Sequence, residues 1–356
     1  MKENKVESLK NIYQELPIPI LPGVAGWKEI PIYECGEGLV PIGLLTKYDQ
    51  ILTDPVYFGW TTVSPYEVNE IDGSLITMFV RERVAEKLDT ISKSLPPNIR
   101  LVVLDAFRPL EVQQALYNQF ISQLQQEHSD WNIEQLSTET QKYVSLPSKD
   151  KTKPSPHNTG GAVDVCLVKL SPDIMPHLTG LELEIKLTKD AERKLELEVE
   201  RWSVIKSGGE MLEYGTQFDL GDERAALDYF EKQKQKRNLT PMEIEALKNR
   251  RWLYWIMKKG GFEAYPDEWW HFNDNKTQMG TKTSGGDASE YGAAQLTELA
   301  AEFESFIQKI VLTLSINKTV TKLPFRKSYW LQRPERIFEW PNVWKDFPNA
   351  EKISPK

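Results

Sequence analysis

Residues 155–168 read SPHNTGGAVDVCLV. From Ala162 onward the stretch alternates and is rich in β-branched residues, which predicts a strand. Ahead of it stands His157, one of only four histidines in 356 residues, followed by the pair Gly160-Gly161. Asp164 then falls on the strand. Glycine reaches backbone angles and close approaches that other residues do not, so the pair can turn the chain sharply between the imidazole and the carboxylate. By itself the stretch reads as a surface loop running into a strand. Two donor side chains fixed this way also make half of a metal site, and the rest of the chain has to decide between the two.

Working outward, NIRLVVLDAF (98–107) reads as a second buried strand, bounded by Pro97 and by Arg108-Pro109. LEVQQALYNQFISQLQQE after it has the pattern of an amphipathic helix. The segment from Leu75 to about Ser94 also predicts a helix, with Phe79, Val80, Val84, Leu88 and Ile91 as its apolar positions. Alternation in LELEIKL (181–187) suggests a strand. The charged stretch that follows, to Trp202, fits strand or helix and reads as an excursion from the main core. TPMEIEALKNRRWLYWIMKKGG carries the strongest helix signal. Thr240 is the N-cap, Pro241 opens the first turn and Glu243 completes a capping box. Lys258 and Lys259 suit the C-terminal end of the dipole and Gly260 stops the helix. FEAYPDEWWHF is expected to be extended, SGGDASEYG to be a flexible link, and AAQLTELAAEFESFIQKIVLTL to be a further helix.

Strands and helices do not alternate in a βαβ rhythm. The expected fold is therefore α+β, a small, mainly antiparallel sheet flanked by helices, with N- and C-terminal extensions. The expected organisation is a proline-rich arm over 1–45, a main domain over 46–280 with a charged insertion at about 170–210, and a C-terminal helix and extended tail over 281–356. That tail holds Trp330, Trp340 and Trp344. No internal repeat is visible.

Hydrophobic residues make up 40% of the chain and charged residues 27%, ordinary values for a globular protein. A net charge of −8 argues against nucleic acid as the main partner, because phosphate binding needs a basic surface. No run approaches the roughly 18 apolar residues of a membrane span, and the N-terminus lacks the apolar core of a signal peptide. Cys35 and Cys166 form no CxxC pair, which fits a reducing compartment. The cytoplasm is the expected location.

The second half of the candidate metal site lies in DEWWHF, where Glu268 and His271 are three apart. A catalytic zinc usually takes three nitrogen or oxygen ligands from the protein and keeps one position open for water. His157, Asp164 and His271 supply that count, and Glu268 is a carboxylate left over to accept a proton from the water and pass it to a leaving amine. The other two histidines, His128 and His177, read as ordinary hydrogen-bonded or surface residues. Neither HExxH nor GxSxG occurs.

Taken together, SPHNTGGAVD and DEWWHF match S-x-H-x-x-G-x-A-x-D and E-W-W-H. In that order they resemble the signature of the zinc D-Ala-D-Ala dipeptidases of the vancomycin-resistance type, within the wider zinc D,D-peptidase family. LDAFRP, YGTQFDLGDER and, weakly, LTDPVY resemble three further family elements, so the likeness runs over roughly residues 45–280. It implies one zinc ion per chain on His157, Asp164 and His271, with Glu268 as general base and then acid. It implies that Arg108 stabilises the tetrahedral intermediate, that Asp219 pairs with the substrate ammonium, and that Ser155 and Tyr57 lie on the substrate side. The implied substrate is a small D,D-dipeptide. Three departures stand out: the long charged excursion between Asp164 and Asp219, FNDNKTQMGTK after His271, and the terminal extensions, which read as structural clasps or as an oligomer surface. If the excursion folds over the site, it narrows the substrate. A related D,D-carboxypeptidase or short-peptide amidase is the alternative among enzymes, and a non-catalytic zinc-binding module is the alternative outside them.

Overall fold

The computed structural model describes residues 2–43, 46–60, 71, 73–141 and 143–316. The strands are β1 (Leu39–Ile42), β2 (Leu52–Thr53), β3 (Met78–Arg81), β4 (Ile99–Asp105), β5 (Ala162–Leu170), β6 (Gly209–Met211), β7 (Phe262–Ala264) and β8 (His271–Asp274). The α-helices are α1 (Lys2–Glu15), α2 (Glu82–Ser94), α3 (Leu110–Glu127), α4 (Ile133–Thr140), α5 (Met175–Leu187), α6 (Ala191–Gly208), α7 (Tyr229–Lys236), α8 (Pro241–Lys259), α9 (Gln278–Ser284) and α10 (Glu298–Ile316).

The main sheet has the order β2-β4-β5-β8-β7, with β6 on the far end of β5. Only the β2–β4 pair is parallel. The fold is thus α+β with a small, mainly antiparallel sheet. The stretch that opened the reading becomes its central strand. Every residue of β5 but Lys169 is buried, so both faces are covered. That explains its near-continuous apolar run, since an antiparallel strand with one wet face would alternate more strictly. Two registers position everything that follows. Asp105 on β4 faces Asp164 on β5 across a bulge, and Asp164 in turn faces His271 on β8. Trp269 and Trp270, just before β8, are fully buried.

Helix α8 forms as its sequence dictates. The Thr240 side chain accepts from the Glu243 N–H, and the Glu243 carboxylate accepts from the Thr240 N–H. Such a cap is worth about 1 kcal/mol. Its face carries α1: Trp255 Nε1 donates to the Leu16 carbonyl at 2.9 Å and Arg251 reaches the carbonyls of Gln14 and Glu15.

Several expectations are corrected. The segment from Leu75 is not one helix: Phe79 and Val80 lie in β3, paired antiparallel with β1, and α2 starts only at Glu82. Val80, Val84, Leu88 and Ile91 recur at helical spacing, so Val80 joins the stripe of α2 by pattern while a partner strand claims its backbone. LELEIKL is helical, not a strand. Leu178, Leu181 and Ile185 share one buried face at helical spacing, and Pro176 sits in the first turn. Helix α6 packs on it, so the excursion is a helical hairpin. The proline-rich arm contains both α1 and β1. SGGDASEYG is no free link: Tyr291 is fully buried, the Tyr33 N–H donates to Ser289 O, and the Ser289 N–H donates to Pro31 O. Trp330, Trp340 and Trp344 lie outside the described residues.

Candidate metal centre and its cavity

His157 begins a short 3-10 turn (His157–Thr159) that ends at Gly160, whose φ is 68°. A Cβ at Gly160 would stand 2.3 Å from Leu39 Cδ2, and one at Gly161 2.5 Å from Thr277 Cγ2. Both glycines are thus required, the first by its left-handed backbone as well as by space. Arg81 anchors the turn: its N–H donates to Gly160 O at 2.9 Å and its Nε to Thr159 O at 2.7 Å. The same guanidinium grips Glu34 from the N-terminal arm and the Gly292 carbonyl.

The ring of His157 is held through Nδ1, which lies 2.9 Å from the Ala106 carbonyl and 3.1 Å from Asp105 Oδ2. With the proton on Nδ1, the lone pair of Nε2 points inward. It meets His271 Nδ1 at 3.1 Å and Asp164 Oδ1 at 3.4 Å, and His271 Nδ1 is 2.9 Å from the same oxygen. A tetrahedral zinc with bonds near 2.05 Å sets its ligand atoms about 3.3 Å apart. The observed triangle needs only a slight widening. All three residues are buried. Two imidazole nitrogens crowded on one carboxylate oxygen is an arrangement that a shared cation satisfies. His157, Asp164 and His271 therefore fit a zinc ion by donor type, by spacing and by the backbone bond that fixes a tautomer. The charges agree. Burial alone would raise the Asp164 carboxyl, but His157 and His271 hold it well below its usual range. Burial opposes the His157 imidazolium and is outweighed by Asp164 and Asp105, while burial prevails at His271 and lowers it.

Around this triad the chain leaves a cavity of about 110 Å³, small beside the roughly 300–1,000 Å³ of sites for drug-sized ligands. Glu268 borders it, with its Oε2 3.8 Å from His271 Nδ1. Burial, reinforced by the charges of Asp164 and Asp219, pushes its carboxyl well above the usual range. Asp219 also borders the cavity, in a left-handed conformation at φ 63° that a non-glycine residue seldom adopts. Its Oδ2 is buried without a hydrogen-bond partner, and burial pushes its pKa up to about 7 against the pull of Arg108. Ser155 is buried and its Oγ donates to Asn158 Oδ1 at 2.8 Å. The buried Tyr57 hydroxyl is 3.2 Å from Arg108 Nη2, and the guanidinium lies over the Tyr57 ring.

All eight residues singled out from the sequence border this one cavity. His128 and His177 stand apart, the first stacked on Trp131 and the second paired with Glu200 at the surface. Sequence reasoning missed Asp105 and Gln113. Asp105 Oδ2 accepts from Arg108 Nε at 2.9 Å and Nη2 at 2.5 Å, and Gln113 Oε1 accepts from Arg108 Nη1 at 2.8 Å. Asp105 thereby touches both Arg108 and His157. Its signal was present in LDAFRP, three residues before the arginine. Among the described residues, none of the α5–α6 hairpin borders the cavity, so the excursion does not fold over the site. Trp27 from the N-terminal arm does border it.

Residues 201–284 match the Peptidase_M15 family model, described as D-ala-D-ala dipeptidase. The matched span includes Asp219, Glu268 and His271; the other two proposed ligands lie upstream of it. The chain is also 24% identical over 273 residues to a D-alanyl-D-alanine dipeptidase of Synechocystis sp. (strain ATCC 27184 / PCC 6803 / Kazusa), covering 72% of this chain and 87% of that protein. Both findings support the peptidase family that the motifs resemble.

Proposed function

We propose that this relative of the D-Ala-D-Ala dipeptidases is itself a zinc-dependent dipeptidase that hydrolyses D-Ala-D-Ala. The observation that carries the reading is the convergence of His157 Nε2, Asp164 Oδ1 and His271 Nδ1 on one point, beside a carboxylate that is not part of the triad. Zinc at such a point supplies a Lewis acid and brings the pKa of water down toward 7. Among the described residues the group counts three donors, the number with which a catalytic zinc keeps its fourth position for water.

The chain's own residues have separate tasks. Glu268 takes the proton of the attacking water and returns it to the leaving amine. Arg108 is kept charged by Asp105 despite its burial and faces the cavity as a fixed cation, placed to stabilise the oxyanion that develops on the scissile carbonyl. Asp219 offers an unpartnered carboxylate oxygen, the natural counterpart of a substrate ammonium. A carboxylate that demands a free amine next to the reaction centre, in so small a cavity, selects a dipeptide over a longer chain. Two free cysteines, Cys35 and Cys166, fit the cytoplasm as the place of action.

The test is amino-acid release from D-Ala-D-Ala by the purified protein, with and without a zinc chelator, beside L-Ala-L-Ala and a pentapeptide ending in D-Ala-D-Ala. Chelator-sensitive cleavage of the D,D-dipeptide alone is expected. Cleavage of the pentapeptide would move the assignment to a D,D-carboxypeptidase. A protein that binds one zinc and splits none of the three would leave only the binding module.

A further inference from the structure

The N-terminal arm lies outside the span that resembles the family, yet one of its side chains reaches the reaction chamber. Trp27 borders the same cavity as Ser155, Glu268 and Met279. It sits in a 3-10 turn (Trp27–Glu29) that follows Gly26, whose φ of 75° reverses the chain there. The turn packs against α9, the helix that carries Met279.

This contact is a fixed one. Gln278 Nε2 donates to Ile30 O at 2.6 Å and to Thr152 O at 3.0 Å, so a single amide bridges the arm to the segment leading to Ser155. Glu29 pairs with Lys153 at 3.4 Å on the same side. Farther along, the Glu34 carboxylate accepts from the Gly292 N–H at 2.7 Å and from both terminal nitrogens of Arg81. A turn anchored on both sides keeps the backbone of Trp27 in place, which makes the residue a wall of the cavity rather than a lid. Its side of the chamber is also defined. The arm is stitched to the 152–156 segment and to α9, next to Ser155 and Met279, whereas Asp219 belongs to the loop before Gly221 and claims the ammonium.

We propose that Trp27 is a specificity-determining residue: together with Met279 it limits the size of the substrate's C-terminal residue, the one released as the leaving amine. This rests on the dipeptidase reading above, with Asp219 at the amino end. A rigid aromatic wall rejects bulk by steric exclusion, and shortening it to a methyl group opens space where a larger side chain fits.

The experiment compares kcat/KM for D-Ala-D-Ala, D-Ala-D-Val and D-Ala-D-Phe in the wild type, Trp27→Ala and Trp27→Phe, with D-Phe-D-Ala as the control for the other position. Ratios within one preparation do not depend on the fraction that is folded. The wild type should discriminate against D-Ala-D-Phe by about a hundredfold, and Trp27→Ala should relax that ratio about tenfold or more. Trp27→Phe should fall between, and the D-Phe-D-Ala ratio should stay put. A D-Ala-D-Phe ratio in Trp27→Ala within about twofold of the wild type, or movement only in the D-Phe-D-Ala series, would overturn the assignment. A wild type that splits no dipeptide would sink the dipeptidase reading instead. The wall would then be read from the zinc-loaded protein by calorimetry with D-Ala-D-Ala and D-Ala-D-Phe, where an unchanged affinity ratio in Trp27→Ala, or no binding of either peptide, also refutes it.

Discussion

Replacing Asp105 by Asn removes one charge from a pair that is almost sealed from water. The Asp105 and Arg108 side chains are 6% and 10% exposed, and one oxygen, Oδ2, accepts from both Nε and Nη2 of the guanidinium. Breaking a buried pair from one side costs about 3–5 kcal/mol, because the other charge stays behind uncompensated. Arg108 would keep Gln113 Oε1 and the Tyr57 hydroxyl, so the lower end, about 3 kcal/mol, is expected for Asp105→Asn. A double-mutant cycle with Arg108→Met isolates the pair itself. The coupling should reach at least about 2 kcal/mol, since charged hydrogen bonds contribute about 1.5–3 kcal/mol each. The assay is urea unfolding followed by tryptophan fluorescence and by far-ultraviolet circular dichroism, with coincident transitions as the condition for the analysis. The metal content of all four proteins should be equalised by a chelator. A coupling under about 0.5 kcal/mol, the range of solvent-exposed pairs, would show that Asp105 does not hold Arg108 and would refute the argument from burial.

Two further outcomes are expected. Glu268→Gln should keep one zinc per chain by atomic absorption while turnover of D-Ala-D-Ala falls about 10²–10⁴-fold, the usual weight of a general base; activity within tenfold of wild type would remove Glu268 from that role. Asp219 has a folded-state pKa raised to about 7 from 3.8, so between those values the native metal-free protein binds more protons than the unfolded chain and loses stability as the pH rises. Asp219→Asn tolerates the same left-handed backbone and removes the titration. It should stabilise the metal-free protein by about 4 kcal/mol at pH 8 and by nothing measurable at pH 3, and an equal gap at both values would contradict the buried-carboxylate account.

What the sequence discloses depends on how local the physics is. The start and stop of α8 are set by contacts within three residues of each end, and Thr240, Glu243 and Gly260 announce them. The α+β class follows from element order alone. The segment around Phe79 and Val80 is misread because Val80 continues the helical spacing of Val84, Leu88 and Ile91, and only the distant strand β1 decides for pairing. LELEIKL is misread for the opposite reason: its alternation is real, but Leu178, outside the alternating run, completes a helical face with Leu181 and Ile185. At the site, the proposed ligands are legible because each sits in a short motif of fixed spacing. Trp27 carries no such mark. Its place at the cavity is made by Gln278, some 250 residues away, and by the pairing of Ser289 with the arm.

The register Asp164↔His271 has a consequence for how the protein is made. These two residues are 107 positions apart, and they face each other only if β8 docks on β5 without slipping. A shift by one residue would turn His271 to the opposite face of the sheet, away from Asp164. A pairing of such long range must meet a large loop-closure cost before its contacts form, which slows it. If the proposed ion binds here, a chain whose sheet has slipped would present at most part of the triad and hold the metal weakly. Newly synthesised chains would be sorted by whether they can keep the ion, and zinc retention after refolding would count the molecules whose sheet has assembled correctly.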